Sequence, residues 1–173
     1  MRLFVQSNYL LFFLLGIVIN SFGNSASAEQ IYWTNRFDGS VNVSDTSTHM
    51  TTQVLAIAGL NPWGIAIDNS ANRLFFTSGA NDTDVNAGIY SVGTTGQGMV
   101  RITSSASATR QIELDPAGGK VYWTAEGPAA NGYGDSIYRA NLDGSGKEAI
   151  VSGLWNPRGT AIDSQSHQLI SNP

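Results

Sequence analysis

The chain repeats itself at a fixed register, and that repeat limits what its 173 residues can fold into. Three aromatic runs mark it: Ile31-Tyr32-Trp33-Thr34, Leu74-Phe75-Phe76-Thr77 and Val121-Tyr122-Trp123-Thr124, with Tyr32, Phe75 and Tyr122 spaced by 43 and 47 residues. An aspartate stands seven residues before the second and third runs, at Asp68 and Asp115, and Asp163 continues the series at spacings of 47 and 48. After each run comes a β-branched residue, Val41, Ile89 and Ile137, each 48 residues from the last. A unit this small cannot bury its own apolar faces, so successive units must stack and share their cores.

Within a unit every element reads as a strand. GIAID, KVYWT, SIYRANL and EAIVSG are short alternating or β-branched runs. Between them lie Asn69-Ser70-Ala71-Asn72, Pro116-Ala117-Gly118-Gly119 and Asp143-Gly144-Ser145-Gly146, which supply the positive φ that tight hairpins need. Four hairpin-linked strands form one antiparallel sheet, and a unit of that size in tandem reads as a propeller blade. A β-solenoid has shorter coils, and a sandwich would not keep register at this period. The expected fold is thus all-β, a β-propeller with about three four-stranded blades.

The order of these motifs carries a family resemblance across the whole segment 29–173. Asn61-Pro62-Trp63-Gly64-Ile65-Ala66-Ile67-Asp68, then Val121-Tyr122-Trp123-Thr124, then Ile137-Tyr138-Arg139-Ala140-Asn141-Leu142-Asp143-Gly144-Ser145 resemble the YWTD repeat, or low-density lipoprotein receptor class B repeat. That resemblance implies a six-bladed propeller and a recognition module. The aspartate that ends the family's signature is replaced by Asn35, Ser78 and Ala125, so the likeness does not extend to the interblade hydrogen bonds made by that aspartate.

Ahead of the repeats, Arg2, the apolar run Leu10 to Ile19 and Ala26-Ser27-Ala28 form the three parts of a secretory signal, residues 1–28. Asn20 ends the apolar run short of the roughly 18–20 residues that span a bilayer, which disfavours a membrane anchor. The mature chain, from Glu29, is expected outside the cytoplasm, in a periplasm, in the medium or at a cell surface. It has no cysteine, which removes disulfides, thiolate metal sites and lipidated cysteines, so packing must stabilise it. A net charge of -4 with scattered Lys and Arg gives no basic stripe, and nucleic acid is not an expected partner.

Trp33, Phe76 and Trp123 hold one repeat position and are expected to fill the space between blades. Asp68, Asp115 and Asp163 each precede a turn and are expected to cap it. Asp82, Asp84 and Asn86 place oxygen side chains at alternate positions, which makes them calcium candidates, but Ala87 and Gly93 stand where a calcium loop needs glycine and glutamate. No cofactor is otherwise expected. Gly144-Ser145-Gly146-Lys147 lacks both the first glycine and the final Ser or Thr of a phosphate loop. There is no G-x-S-x-G, and the two histidines, His49 and His167, fall outside the matched strands, so no catalytic residue is assigned.

Strand parity locates the working face. Links from strand 2 to 3 and between blades share one end, and the distance from aromatic run to next strand varies there, at 9, 14 and 15 residues. Variable loops on a rigid scaffold are where binding resides. That face carries Trp63, Asp82, Asp84, Asn131, Tyr133, Trp155 and Arg158 as expected binding residues, with the tryptophans exposed beside arginine as a protein hot spot or a sugar-stacking shelf. The expectation is a secreted, non-enzymatic module that binds a protein or cell-surface glycan. The alternative is a propeller hydrolase or lactonase with an axial metal, since fold alone does not exclude it. Counting Gly159 to Asp163 as an inner strand gives twelve strands. Three blades are too few for a ring, so the expectation is either a truncated product or a head-to-tail homodimer that completes six blades.

Overall fold

The structure is a computed structural model, and it describes residues 29–81, 83–105, 107–127 and 135–163. The expected signal segment, residues 1–28, lies outside the described residues, and among these no helix is long and apolar enough to cross a membrane. Eleven described strands form three antiparallel sheets. β1 (Gln30–Asn35), β2 (Ser40–Asp45) and β3 (Thr51–Ala56) form the first. β4 (Pro62–Asp68), β5 (Arg73–Ser78), β6 (Gly88–Gly93) and β7 (Val100–Ser104) form the second. β8 (Ala108–Asp115), β9 (Lys120–Glu126), β10 (Asp135–Asn141) and β11 (Glu148–Leu154) form the third. Each is a meander in chain order, and together they are three blades of a partial β-propeller.

The middle blade is a slab shared by two cores. Phe76, Leu74, Tyr90 and Val92 pack towards the first blade, against Val41 and Leu60. Phe75 and Ile89 pack the other way, with Ile112, Val121, Trp123, Ala125 and Ala140 of the third blade. Strands covered on both faces need apolar residues at consecutive positions, which is why β5 reads Leu74-Phe75-Phe76 without alternation. The middle two strands add stacked aromatic pairs across the ladder: Phe76 on Tyr90 at 5.4 Å and Trp123 on Tyr138 at 5.6 Å between ring centroids.

Trp33 departs from the expected filling role. Phe76 and Trp123 are fully buried, but Trp33 is 38% exposed, because no described blade lies against its face. The chemistry of that face also differs. Opposite Trp33 and Ile31 stand Asn42 and Ser44, where the other blades have Tyr90 with Val92 and Tyr138 with Ala140. The Trp33 indole donates to Ser44 Oγ at 3.0 Å instead of being sealed in a core. Among the described residues the twelfth strand is also not formed: Gly159 to Asp163 belongs to none of the three sheets. An inner strand is held by the strand that follows it, as β5 holds β4 and β9 holds β8, and among the described residues nothing plays that part for Gly159 to Asp163.

Aspartates close the turns by one device. Asp68 Oδ1 accepts from Ser70 N, Ser70 Oγ and Ala71 N at 2.6–3.1 Å, Asp115 Oδ1 accepts from Gly118 N at 2.9 Å, and Asp143 Oδ1 accepts from Ser145 N and Oγ. Asp45, after β2, accepts from Ser47 Oγ, Ser47 N and Thr48 N. The Ser47 hydroxyl first, and then these amides, lower its pKa from the ordinary 3.8 to about 2. The turn hydrogen bonds are therefore fully present above pH 3.8 and are lost as the pH falls through about 2. A carboxyl-carbon NMR titration should give Asp45 a midpoint near 2, and a midpoint at the ordinary value would show that the turn does not form as described. Removing a buried aromatic should separate the two tryptophan environments in a urea series. Trp123→Ala is expected to cost about 3–5 kcal/mol, and Trp33→Ala about 1 kcal/mol or less.

Candidate binding site at the inner strands

Both paired inner strands are bulged at the same repeat position. The β4–β5 ladder skips from Pro62 to Ile65, and the β8–β9 ladder skips from Thr109 to Ile112. The residues released from the ladder are Trp63-Gly64 and Arg110-Gln111, and Arg158-Gly159 is next in the repeat series. A bulge leaves backbone groups unpaired and re-aims its side chains. Threonine repairs the first of these effects. Gly64 N donates to Thr77 Oγ1 at 2.9 Å and Gln111 N donates to Thr124 Oγ1 at 3.1 Å, so the threonine that ends the aromatic run closes the bulge within its own blade.

The same hydroxyls cross between blades. Thr34 Oγ1 donates to the Trp63 carbonyl at 2.7 Å and Thr77 Oγ1 donates to the Arg110 carbonyl at 2.6 Å, while Thr109 Oγ1 donates back to the Ser78 carbonyl at 2.8 Å. Interblade hydrogen bonds are thus made although Asn35, Ser78 and Ala125 stand where the YWTD signature has aspartate. Close approach makes this feasible: a Cβ at Gly64 would lie 2.6 Å from the Arg110 carbonyl oxygen. Thr77→Val should leave Gly64 N–H and the Arg110 carbonyl without partners, at about 1–3 kcal/mol for each. Thr77→Ser should restore most of that loss in the same denaturant series, and equal stability of the valine variant and the wild type would sink the bridging role.

The re-aimed side chains meet. Trp63, Arg110 and Arg158 line one cavity of about 160 Å³ together with Gly64 and Gln111. Two guanidinium groups lie over the Trp63 ring, Arg36 at 4.2 Å and Arg110 at 4.3 Å from its centroid. Glu126 bridges the other two arginines: its Oε2 is 2.6 Å from Arg110 Nη2 and its Oε1 is 3.1 Å from Arg158 Nη2. The Arg158 contact is an ion pair without hydrogen-bond alignment, since Glu126 Oε1 has no hydrogen-bond partner among the described residues. Trp63 Nε1 and Arg110 Nε are likewise buried donors with no acceptor among the described residues. The side chain of Arg110 is only 11% exposed, whereas that of Arg158 is 56% exposed. Asp135 is the other carboxylate at this end, and it is turned into backbone, accepting from Gly127 N at 2.6 Å and Asn156 N at 2.5 Å.

Of the expected binding residues, the structure brings Trp63 and Arg158 together. Trp155 is close in sequence, on the link after β11, and is 79% exposed. Asp84 organises its own loop: it accepts from Ala80 N at 2.8 Å, Asn86 N at 2.8 Å and Asn61 Nδ2 at 3.4 Å. Asn86 is drawn to the Gly59 carbonyl. Among the described residues no three of His, Cys, Asp and Glu are grouped as a metal site. Asp82, Asn131 and Tyr133 lie outside the described residues. One expectation needs correction: Trp63 is part-buried, and arginine covers its ring, so it offers no free shelf for a sugar.

Sequence reasoning missed Arg36, Phe37, Arg110 and Glu126. Arg110 is in repeat register with Trp63 and Arg158, and that alignment was the signal for it. Phe37, in the link between β1 and β2, is 100% exposed, and an aromatic inside Arg36-Phe37-Asp38-Gly39 was the signal there. The larger groove of about 430 Å³ lies elsewhere, beside the open edge of β1, lined by Gln30, Tyr32, Ile65, Ile67 and neighbouring turn residues, with no charged side chain.

No protein-family model and no curated protein sequence matches the chain. Solved structures do match the fold. A nidogen/laminin complex gives a TM-score of 0.61 at 20% identity, covering 73% of this chain and 45% of that one. A putative TolB from Agrobacterium tumefaciens gives 0.58 at 16% identity, covering 74% and 46%. Regucalcin from Agrobacterium tumefaciens, a calcium-binding protein, gives 0.53 at 12% identity, covering 73% and 40%. The chain spans less than half the length of each of these propeller structures.

Proposed function

We propose that the chain is a YWTD-type propeller module that works outside the cytoplasm as a non-enzymatic binding protein and takes a protein partner at the loop end of its blades. The observation that carries this reading is the exposure of three large apolar side chains on three separate links at that one end: Phe37, Val85 and Trp155. Parity of the meanders places the β1–β2 link, the β5–β6 link and the segment after β11 together there. Apolar side chains held out on loops around a polar centre match the make-up of a protein-binding surface. A glycan is less well served, because the ring faces of Trp63 are covered by guanidinium groups. The YWTD assignment is supported by the quoted motifs and by threonine bridges that recur in register. One of the similar structures is of a complex between nidogen and laminin, so the fold occurs in a protein–protein assembly.

The hydrolase alternative is less well supported, because the inner-strand positions are Trp63, Arg110 and Arg158, not carboxylates and amides that could converge on a cation. Immobilised protein, exposed to the extracellular fraction of the source cells, is expected to retain a partner that a Phe37→Ser/Trp155→Ser double variant does not. Both positions are on the surface, so the variant should keep its stability. Hydrolysis of ester or lactone substrates that depends on added divalent metal would overturn the non-enzymatic reading, and equal capture by the variant would overturn the choice of face.

A further inference from the structure

We infer that the cavity at the inner strands is a carboxylate-binding site, and that the group it takes is an Asp or Glu side chain of the protein partner. This deepens the reading of the loop end as the binding face and rests on it. The first argument is charge. Arg36, Arg110 and Arg158 converge on Trp63, while the carboxylates facing them are Glu126, shared by two arginines, and Asp135, whose oxygens are taken by backbone amides. Arg36 has no carboxylate partner among the described residues; its nearer acid, Asp38, accepts from Asn35 Nδ2 and Ser40 N. The cluster therefore keeps an excess positive charge in a chain whose net charge is -4.

The second argument is independent of charge. Trp63 Nε1–H and Arg110 Nε–H belong to residues that line the cavity, and both are buried without an acceptor among the described residues. A buried donor left unpaired is destabilising, and an oxygen acceptor entering the cavity relieves both. A carboxylate supplies two acceptor oxygens and the opposite charge, and guanidinium groups bind it with directional, charge-assisted hydrogen bonds. Size decides which carboxylate. About 160 Å³ holds the head of an acidic side chain, and Phe37 and Trp155, exposed on links at the same end, suit the apolar neighbours that such a side chain has in a protein, whereas a polyanionic glycan has none. Charge at the centre with apolar residues around it is the arrangement in which an interfacial ion pair is shielded from water.

The test uses the mature chain with two small probes, N-acetyl-glutamate methylamide and its glutamine counterpart. The Trp63 indole N–H resonance is expected to move and saturate with the glutamate probe and to stay in place with the glutamine one. Arg36→Gln and Arg158→Gln, at exposed positions, should each weaken that binding by about fivefold, with the Trp123 indole resonance unchanged as evidence of intact packing. An equal response to sodium chloride, meaning an adventitious anion only, would overturn the inference, as would no response of Trp63 to the glutamate probe. Tighter binding of a heparin fragment than of an acidic peptide would overturn the choice of partner. If Phe37→Ser/Trp155→Ser abolishes capture of the partner while Arg36→Gln and Arg158→Gln leave it unchanged, the carboxylate site falls and the loop-end face stands.

Discussion

The hydroxyl of Thr77 does two things at once, and the arrangement of the blades follows from them. It accepts from Gly64 N, which the bulge in β4 has removed from its ladder, and it donates to the carbonyl of Arg110 in the next blade. One side chain thus satisfies a broken sheet and fastens it to its neighbour. Buried backbone groups must be paired, so a bulge without this threonine would be costly and a threonine without the bulge would have no amide to accept from. Thr34 makes the outward half of the same connection, to Trp63, and Thr124 makes the inward half, from Gln111.

What the bulge yields is a change of aim. Residues on a regular inner strand would alternate between the two cores. Trp63 and Arg110 instead come to one cavity with Arg158, and Arg110 also donates from Nη1 to the Gly79 carbonyl at 3.0 Å. The proposed binding site and the interblade joint are therefore built from the same two-residue break. This explains why Trp63 is half-buried, and why its aromatic faces serve arginine and not a ligand.

Most of the strands were legible because their residues obey one rule per element: β-branched and aromatic runs between turns closed by aspartate, glycine or asparagine. Phe76 and Trp123 were legible as core for the same reason. Trp33 was not, since its burial depends on what lies against the first blade, and the local clue was the polar pair Asn42 and Ser44 opposite it. Arg110 was hidden because the third unit lacks the Asn-Pro-x-Gly motif that flags Trp63 and Arg158, and only counting back from Asp115 finds it. Glu126 reads as the variable residue after an aromatic run, and its role appears only when Arg110 of β8 and Arg158 of the segment after β11 are seen to share it. A side chain's partners across blades are long-range facts, and local pattern does not encode them.

The middle blade carries a further consequence, for how the chain finds its fold. A strand with one wet face is protected against slipping, because a one-residue shift would put its apolar set in water. β5 has no such protection: Leu74, Phe75 and Phe76 are buried on both sides, and sliding by one would exchange one aromatic ring for another. Register must then be held by features that cannot be exchanged. They are the Asp68 turn with Asn72 at a φ of 52° on one side, and Thr77, whose hydroxyl meets both Gly64 N and the Arg110 carbonyl, on the other. Misaligned yet well-packed intermediates are the kinetic hazard of such a blade, and it is polar residues at its two ends that tell the right alignment from the near miss.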